Sequence, residues 1–168
     1  MSGFDWDKDY SLEELLQSVI AIKELPNRLA KIINSLKLED FEKSYRDGGW
    51  NIRQLIHHLA DSHLNGYLRC QHIVYGDSNE IQLFNQDSWA NGLGKDFHHE
   101  ASFMILLGLH QRWSLMLLEC LKQPDVYLAK SILHPERQQH LSLAQAIALY
   151  AWHGEHHLAQ IVAASQPQ

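Results

Sequence analysis

The sequence predicts an all-α fold, a single antiparallel four-helix bundle, and three observations predict it. Four long stretches carry apolar residues three and four apart, capping residues or Gly and Pro bound them, and no stretch alternates convincingly as a strand would. A chain of 168 residues with 45% hydrophobic content has the usual size of one domain, here 1–168, and can bury a core. Four long helices with three links make such a bundle the natural packing solution.

The first helix, over 11–36, opens at Ser11, which with Glu14 forms a capping box, and its apolar period runs from about Leu12 to Leu36. Pro26 falls inside it and removes a backbone donor, so a kink or break is expected near Glu24 and Leu25. Gly48-Gly49 punctuates the chain, and Asn51 is the N-cap of a second helix over 51–75. Its stripe is Ile52, Leu55, Ile56, Leu59, Gly66, Tyr67 and Cys70, and the run from Tyr75 to Asn79 ends it. Residues 77–99 lack a steady period, and a connection that long is expected to serve the site. The third helix, 100–121, carries Phe103, Leu106, Leu107, His110, Trp113, Leu117 and Leu121 on one side, and Pro124 stops it. After an irregular link with His134-Pro135, Ser142 opens the fourth, 142–164, lined by Ala146, Leu149, Tyr150, His153, His157, Ile161 and Ala164.

The formal charge of −6, from 20 acidic and 14 basic residues, gives no footprint for nucleic acid or an anionic membrane surface. The charged, aromatic start MSGFDWDKDY is unlike a secretory signal, and no window reads as about 18 uncharged apolar residues, so a cytoplasmic protein is expected. Cys70 and Cys120 are isolated, and read as reduced, buried thiols.

Twelve histidines are the anomaly of composition, and they cluster at 57, 58 and 63, at 98 and 99, and at 153, 156 and 157. On a helix His153 and His157 lie about 40° apart on the apolar face, adjacent and pointing into the bundle, with His156 peripheral. Two imidazoles one turn apart can chelate one ion, or stand as satisfied core histidines; a third ligand must come from another helix. In the second helix the wheel leaves this open: His57 and His58 flank the apolar stripe, and His63 lies near its centre.

The segment from Gly49 to His63 resembles the second helix of the DinB-like family, most closely its YfiT branch, as does the segment from Tyr150 to His157 on the last helix. The runs Leu109-His110-Gln111-Arg112-Trp113 and His134-Pro135 match the same branch, so the similarity spans nearly the whole chain. The resemblance implies a four-helix bundle with a three-histidine metal centre, and carries the ligands to His58, His153 and His157, with His57 as runner-up for the first and His63 as a supporting or core histidine. It also implies a homodimer; one divalent ion per chain is expected, and neutral imidazoles suit zinc and nickel alike.

Three protein ligands leave a position for water or substrate, as catalytic zinc sites do. The branch implies a first function, transfer of a low-molecular-weight thiol such as bacillithiol to an electrophilic small molecule, with the metal activating the sulfur. The second is metal-dependent hydrolysis, which needs an acid or base beside the bound water. Glu155 does not supply it, since it projects away from His153 and reads as solvated; Asp61, Asp87 and His110 are the candidates. The third is a non-catalytic metal-binding stress-response module. Arg112 is the candidate for orienting an anionic substrate, and Asp61 for holding a ligand imidazole by its second nitrogen. Tyr150 and Trp152 are candidates to line the cleft; Trp50, Trp89 and Trp113 read as core or interface aromatics.

Overall fold

The structure, a computed structural model, describes residues 3–166. Its helices are α1 (Leu12–Ile33), α2 (Ile52–Tyr75), the short α3 (Gln86–Ala90), α4 (Glu100–Leu121), the short α5 (Pro124–Tyr127) and α6 (Leu143–Ser165). Three start on capping boxes that satisfy otherwise orphaned amides: Ser11 with Glu14, Asn51 with Gln54, and Ser142 with Gln145. Such caps contribute about 1 kcal/mol each. Gly76 closes α2 at φ +67°, in the left-handed region that suits glycine.

The four long helices form the expected bundle, in which α1 and α2 each pack against both α4 and α6. The pairs α1–α4 and α2–α6 are antiparallel, whereas α1–α6 and α2–α4 run parallel. For α1–α6 the direction follows from Gln145 meeting Trp6 near both starts and Arg28 meeting Glu155 further along. For α2–α4 it follows from the succession His57–Ser102, His63–His110 and Tyr67–Arg112. A parallel neighbour requires a connection that returns along the bundle, which is why the link after α2 is long. Ile81 donates to the Leu133 carbonyl at one end of α2, and Gln54 donates to the Ala90 carbonyl at the other.

Two apolar clusters fill the interior. One holds Leu25, Leu29, Leu55, Leu59, Leu106 and Ile161; the other holds Leu15, Ile22, Cys70, Trp113, Leu117 and Ile147. Between them, at mid-height, lies a layer of imidazoles: His63, His110 and His153.

Three expectations change. A two-stranded antiparallel hairpin, β1 (Ser131–His134) and β2 (Gln139–Ser142), stands where no strand was expected, because Ile132 and Leu141 pair directly and bury against the core. Its turn places Gln138 at φ 52° without the Gly or Asn that advertises such a turn. Helix α1 ends at Ile33 rather than Leu36, and it runs unbroken through Pro26, since the one carbonyl Pro26 orphans finds another donor. Helix α4 is long and apolar enough to cross a membrane by length and composition, at a mean hydropathy of 1.2, yet it packs against α1 and α2 with Leu106, Trp113 and Leu117 buried.

Gly66 of α2 sits against Tyr150 of α6 so closely that an added Cβ would lie 2.5 Å from the ring. Alanine would gain about 1 kcal/mol of helix propensity but cost about 1–3 kcal/mol of overpacking. Gly66→Ala is therefore expected to lower the urea midpoint; a raised midpoint would show that α6 yields freely at this contact.

Candidate metal centre

The structure brings His58, His153 and His157 together, with one ligand atom of each within 4.8 Å of the others. His58 Nε2 lies 3.2 Å from His153 Nε2, and His157 Nε2 lies 3.1 Å from it. Tetrahedral bonds of 2.0–2.1 Å would place donor nitrogens about 3.3 Å apart, so the spacing suits one zinc-sized ion. Trp50 packs on the His58 ring at 4.7 Å between centroids and helps to fix it.

The protons of these rings follow from their other partners. The Ile22 carbonyl can only accept, so His110 Nδ1, 2.5 Å away, carries its proton. The neutral His110 then accepts at Nε2 from His63 Nδ1, at 3.0 Å, and His63 in turn accepts at Nε2 from His153 Nδ1, at 3.1 Å. His153 Nε2 is left with a lone pair aimed at His58 and His157. Gln160 Oε1 likewise accepts from His157 Nδ1 at 2.8 Å, which leaves the His157 Nε2 lone pair facing the same point. The lone pairs of His153 and His157 face one another at 3.1 Å with no proton between them, an arrangement that a cation would satisfy.

The anchor of this chain comes from Pro26. Having no N–H, it leaves the Ile22 carbonyl, four residues back, without a helical partner, and His110 fills the gap. Burial keeps all five rings neutral: it lowers His58 to about 4, His110 to about 4 and His157 to about 3, and takes His63 and His153 well below the ordinary value. Repulsion from neighbouring imidazoles adds to the lowering at His63, His153 and His157.

Beside the three histidines opens a cavity of about 570 Å³, with His153, Ser62, Arg69, Tyr150 and His134 on its wall. The link from 83 to 86 forms one side of it, as the length of that connection led us to expect. Ser62 Oγ lies 3.4 Å from His153 Nε2.

Other candidates lie elsewhere. His57 is turned away, bonded to Ser102 Oγ at 2.7 Å and the Phe97 carbonyl at 3.0 Å, which takes it out of contention as a ligand. Asp61 bonds to none of the three imidazoles; His63 and Gln160 perform the orienting task instead, because they share the interior with the rings they face. Burial raises the Asp61 carboxyl, with nearby His57 opposing. His110 is fully buried behind His63, out of reach of a reacting atom. Arg112 points to the other side of α2, donating from Nε to Tyr67 Oη at 2.8 Å, so it orients nothing in the cavity. Asp87 stands exposed on α3. Glu155 is paired with Arg28 rather than simply solvated. Trp152 stacks on His156 and faces the N-terminal segment, not the cleft.

The residue missed in the sequence is Arg69. It lies eleven positions after His58, about 20° away on the helix wheel, and seven after Ser62, so one face of α2 presents all three. Counting turns forward from the ligand would have found it.

Two measurements follow. From pH 6.5 down to about 4 the unfolded chain takes up protons on these histidines that the folded chain refuses, so stability rises with pH in that window. Each group costs up to about 1.4 kcal/mol per pH unit. The metal-free urea midpoint is expected to fall steeply between pH 6.5 and 5; a flat profile would mean that the rings are charged in the fold. His110→Phe keeps the metal-facing nitrogens but leaves His63 Nδ1–H without an acceptor. Zinc affinity is expected to drop about 10- to 100-fold with helical circular dichroism retained; unchanged affinity would show that the buried chain orients nothing.

Comparison with known proteins agrees with this architecture. The sequence pattern of the DinB superfamily matches residues 21–161. A Halalkalibacterium halodurans protein named "Putative metal-dependent hydrolase" is 34% identical over 158 residues, covering 94% of this chain and 90% of its own. A Bacillus mycoides protein of the same name is 39% identical over 150 residues, covering 89% and 84%. The solved structure of YfiT from Bacillus subtilis, described as a probable metal-dependent hydrolase with an unusual four-helix bundle topology, superposes with a TM-score of 0.90 at 28% identity, over 98% of this chain and 93% of that one. The chain thus belongs to the DinB superfamily.

Proposed function

We propose that this chain is a metal-dependent enzyme of the cytoplasm that holds one divalent ion, zinc or nickel, on His58, His153 and His157 and transfers a low-molecular-weight thiol to an electrophilic small molecule. The observation that carries the choice of reaction is the cavity wall. Around His153 it offers Ser62, Arg69, Tyr150, Asn85 and Gln86, and its one carboxylate, Glu136, sits on the exposed hairpin turn. A hydrolase needs a positioned base for its water. A thiol needs none once a bound cation, acting as a Lewis acid, has stabilised its anion.

The chain's own residues then bind and orient. His63 and Gln160 fix the ligand rings, the 83–86 link shields the cavity, and Tyr150, with its phenol pushed up to about 12 by burial, remains a hydrogen-bond donor at any working pH. The protein's own thiols do not compete. Cys70 is buried, and burial raises its pKa to about 12; the Cys120 thiol is raised for the same reason. The sulfur nucleophile therefore comes with the substrate.

Hydrolysis is the second reading, supported by the names of the relatives, with Glu136 as the one carboxylate able to serve. The homodimer is also a proposal: Met104, Ile105 and Leu115 stand exposed on the outer face of α4 around Gly108, a surface suited to a second copy.

The test loads the purified protein with zinc or nickel and assays several small thiols against a bromoalkyl electrophile, with ester and amide substrates in parallel. Metal-dependent conjugation that disappears in His153→Ala, with the fold intact, is the expected result. Ester or amide cleavage without conjugation would replace transfer by hydrolysis, and a His153→Ala chain that unfolds with loss of metal would favour a structural centre.

A further inference from the structure

We propose that Arg69 is the anion-recognition residue of this cavity, and that the molecule taken at the centre carries a carboxylate at the end remote from its metal-binding atom. The inference rests on reading His58, His153 and His157 as the metal centre, and it holds whether the reaction is transfer or hydrolysis.

Arg69 and His153 line one cavity, and Ser62, which approaches His153, lies seven residues before Arg69 on the same face of α2. Two helical turns make a rise of about 10 Å. The backbones of Ser62 and Arg69 are thus about two turns apart, and the guanidinium is anchored on the side of the cavity toward the end of α2, by Tyr150 and the Gln82 carbonyl, while Ser62 approaches His153.

The hydrogen bonds of Arg69 leave its charge uncompensated. Nη1 donates to Tyr150 Oη at 2.7 Å, and Nη2 donates to the Gln82 carbonyl at 3.2 Å, both neutral acceptors. Nε is buried with no partner. Among the described residues Arg69 pairs with no carboxylate, and Glu136, the acidic residue on the same wall, forms no ion pair either. His134 Nδ1, also on this wall, is buried without a partner. Five guanidinium N–H groups against two acceptors is a surplus of donors, and the Tyr150 hydroxyl, having accepted from Arg69, still has its own proton to give. Planar donors fixed by two anchors match a carboxylate better than a cation or an apolar group.

The arrangement is built rather than incidental. Tyr150 packs so closely on Gly66 that a Cβ there would collide with its ring, and its hydroxyl meets Arg69.

Monohydroxamates of linear dicarboxylic acids test the idea, because a hydroxamate ligates the metal whichever reaction the enzyme performs. A series of about four to eight carbons covers the helical rise between the two ends, and each acid is compared with its methyl ester on the cobalt-loaded full chain by visible absorption. The best acid is expected to bind at least about tenfold more tightly than its ester, a difference of about 1.4 kcal/mol. Arg69→Gln should abolish that advantage while leaving ester affinity unchanged, and Arg69→Lys should retain part of it. Equal binding of acid and ester by the unaltered protein overturns the proposal without recourse to a variant, as does an advantage that survives in Arg69→Gln. Failure of the underlying metal centre is distinguishable: acetohydroxamate would then perturb no cobalt spectrum, and both readings would fall together.

Discussion

Three ring nitrogens meet between α2 and α6, the Nε2 atoms of His153 and His157 with their lone pairs turned inward, and the surrounding structure makes that arrangement tolerable. Neutral imidazoles in an apolar interior need a donor or acceptor for each nitrogen. His153 finds one in His63, His63 in His110, and His110 in the carbonyl that Pro26 leaves free on α1. A proline that would weaken an isolated helix thus supplies the fixed end of a chain of tautomers crossing from α1 through α4 and α2 to α6. The Ile22 carbonyl thus sets which nitrogen is protonated on His110 directly, on His63 through His110, and on His153 through both.

This polar layer also accounts for the division of the core. Apolar clusters above and below it bury His63 and His110, and that burial is what holds these two rings neutral. Glycine is used where the layer demands close approach. A Cβ on Gly154 would press 2.8 Å from Leu25 and 3.4 Å from His63, so the absence of a side chain there lets α6 lie near enough for His153 to reach its partner. The strain of joining parallel neighbours is carried by the connection after α2, which travels the length of the bundle and becomes a wall of the cavity on its way.

Much of this was legible in residues and spacing. The capping boxes at Ser11, Asn51 and Ser142 locate three helix starts because a side chain that bonds its own helix is a local property. The buried stripe of α2 could be read for the same reason. What periodicity could not separate was His57 from His58, since neighbouring positions flank one stripe symmetrically; the difference arises from α4, whose Ser102 captures His57. Asp61 and Arg112 were read for their charge, but charge says nothing about which helix lies opposite. The hairpin escaped because two four-residue strands carry little pattern, and its stability comes from Ile132 and Leu141 entering a core assembled from distant segments.

The face of α2 that begins at His58 and continues through Ser62 to Arg69 unites these features. A straight helix presents the same side every seven residues or so, within about 20°. One helix can therefore present an imidazole, a hydroxyl and a guanidinium along one face, of which Ser62 and Arg69 reach the cavity wall. Opposite it, α6 runs antiparallel, so His157, His153 and Tyr150 face His58, Ser62 and Arg69 in matching order. The Ser62–His153 and Arg69–Tyr150 contacts thus belong to one helix pair, and altering the register of α2 against α6 at Gly66 would disturb both at once.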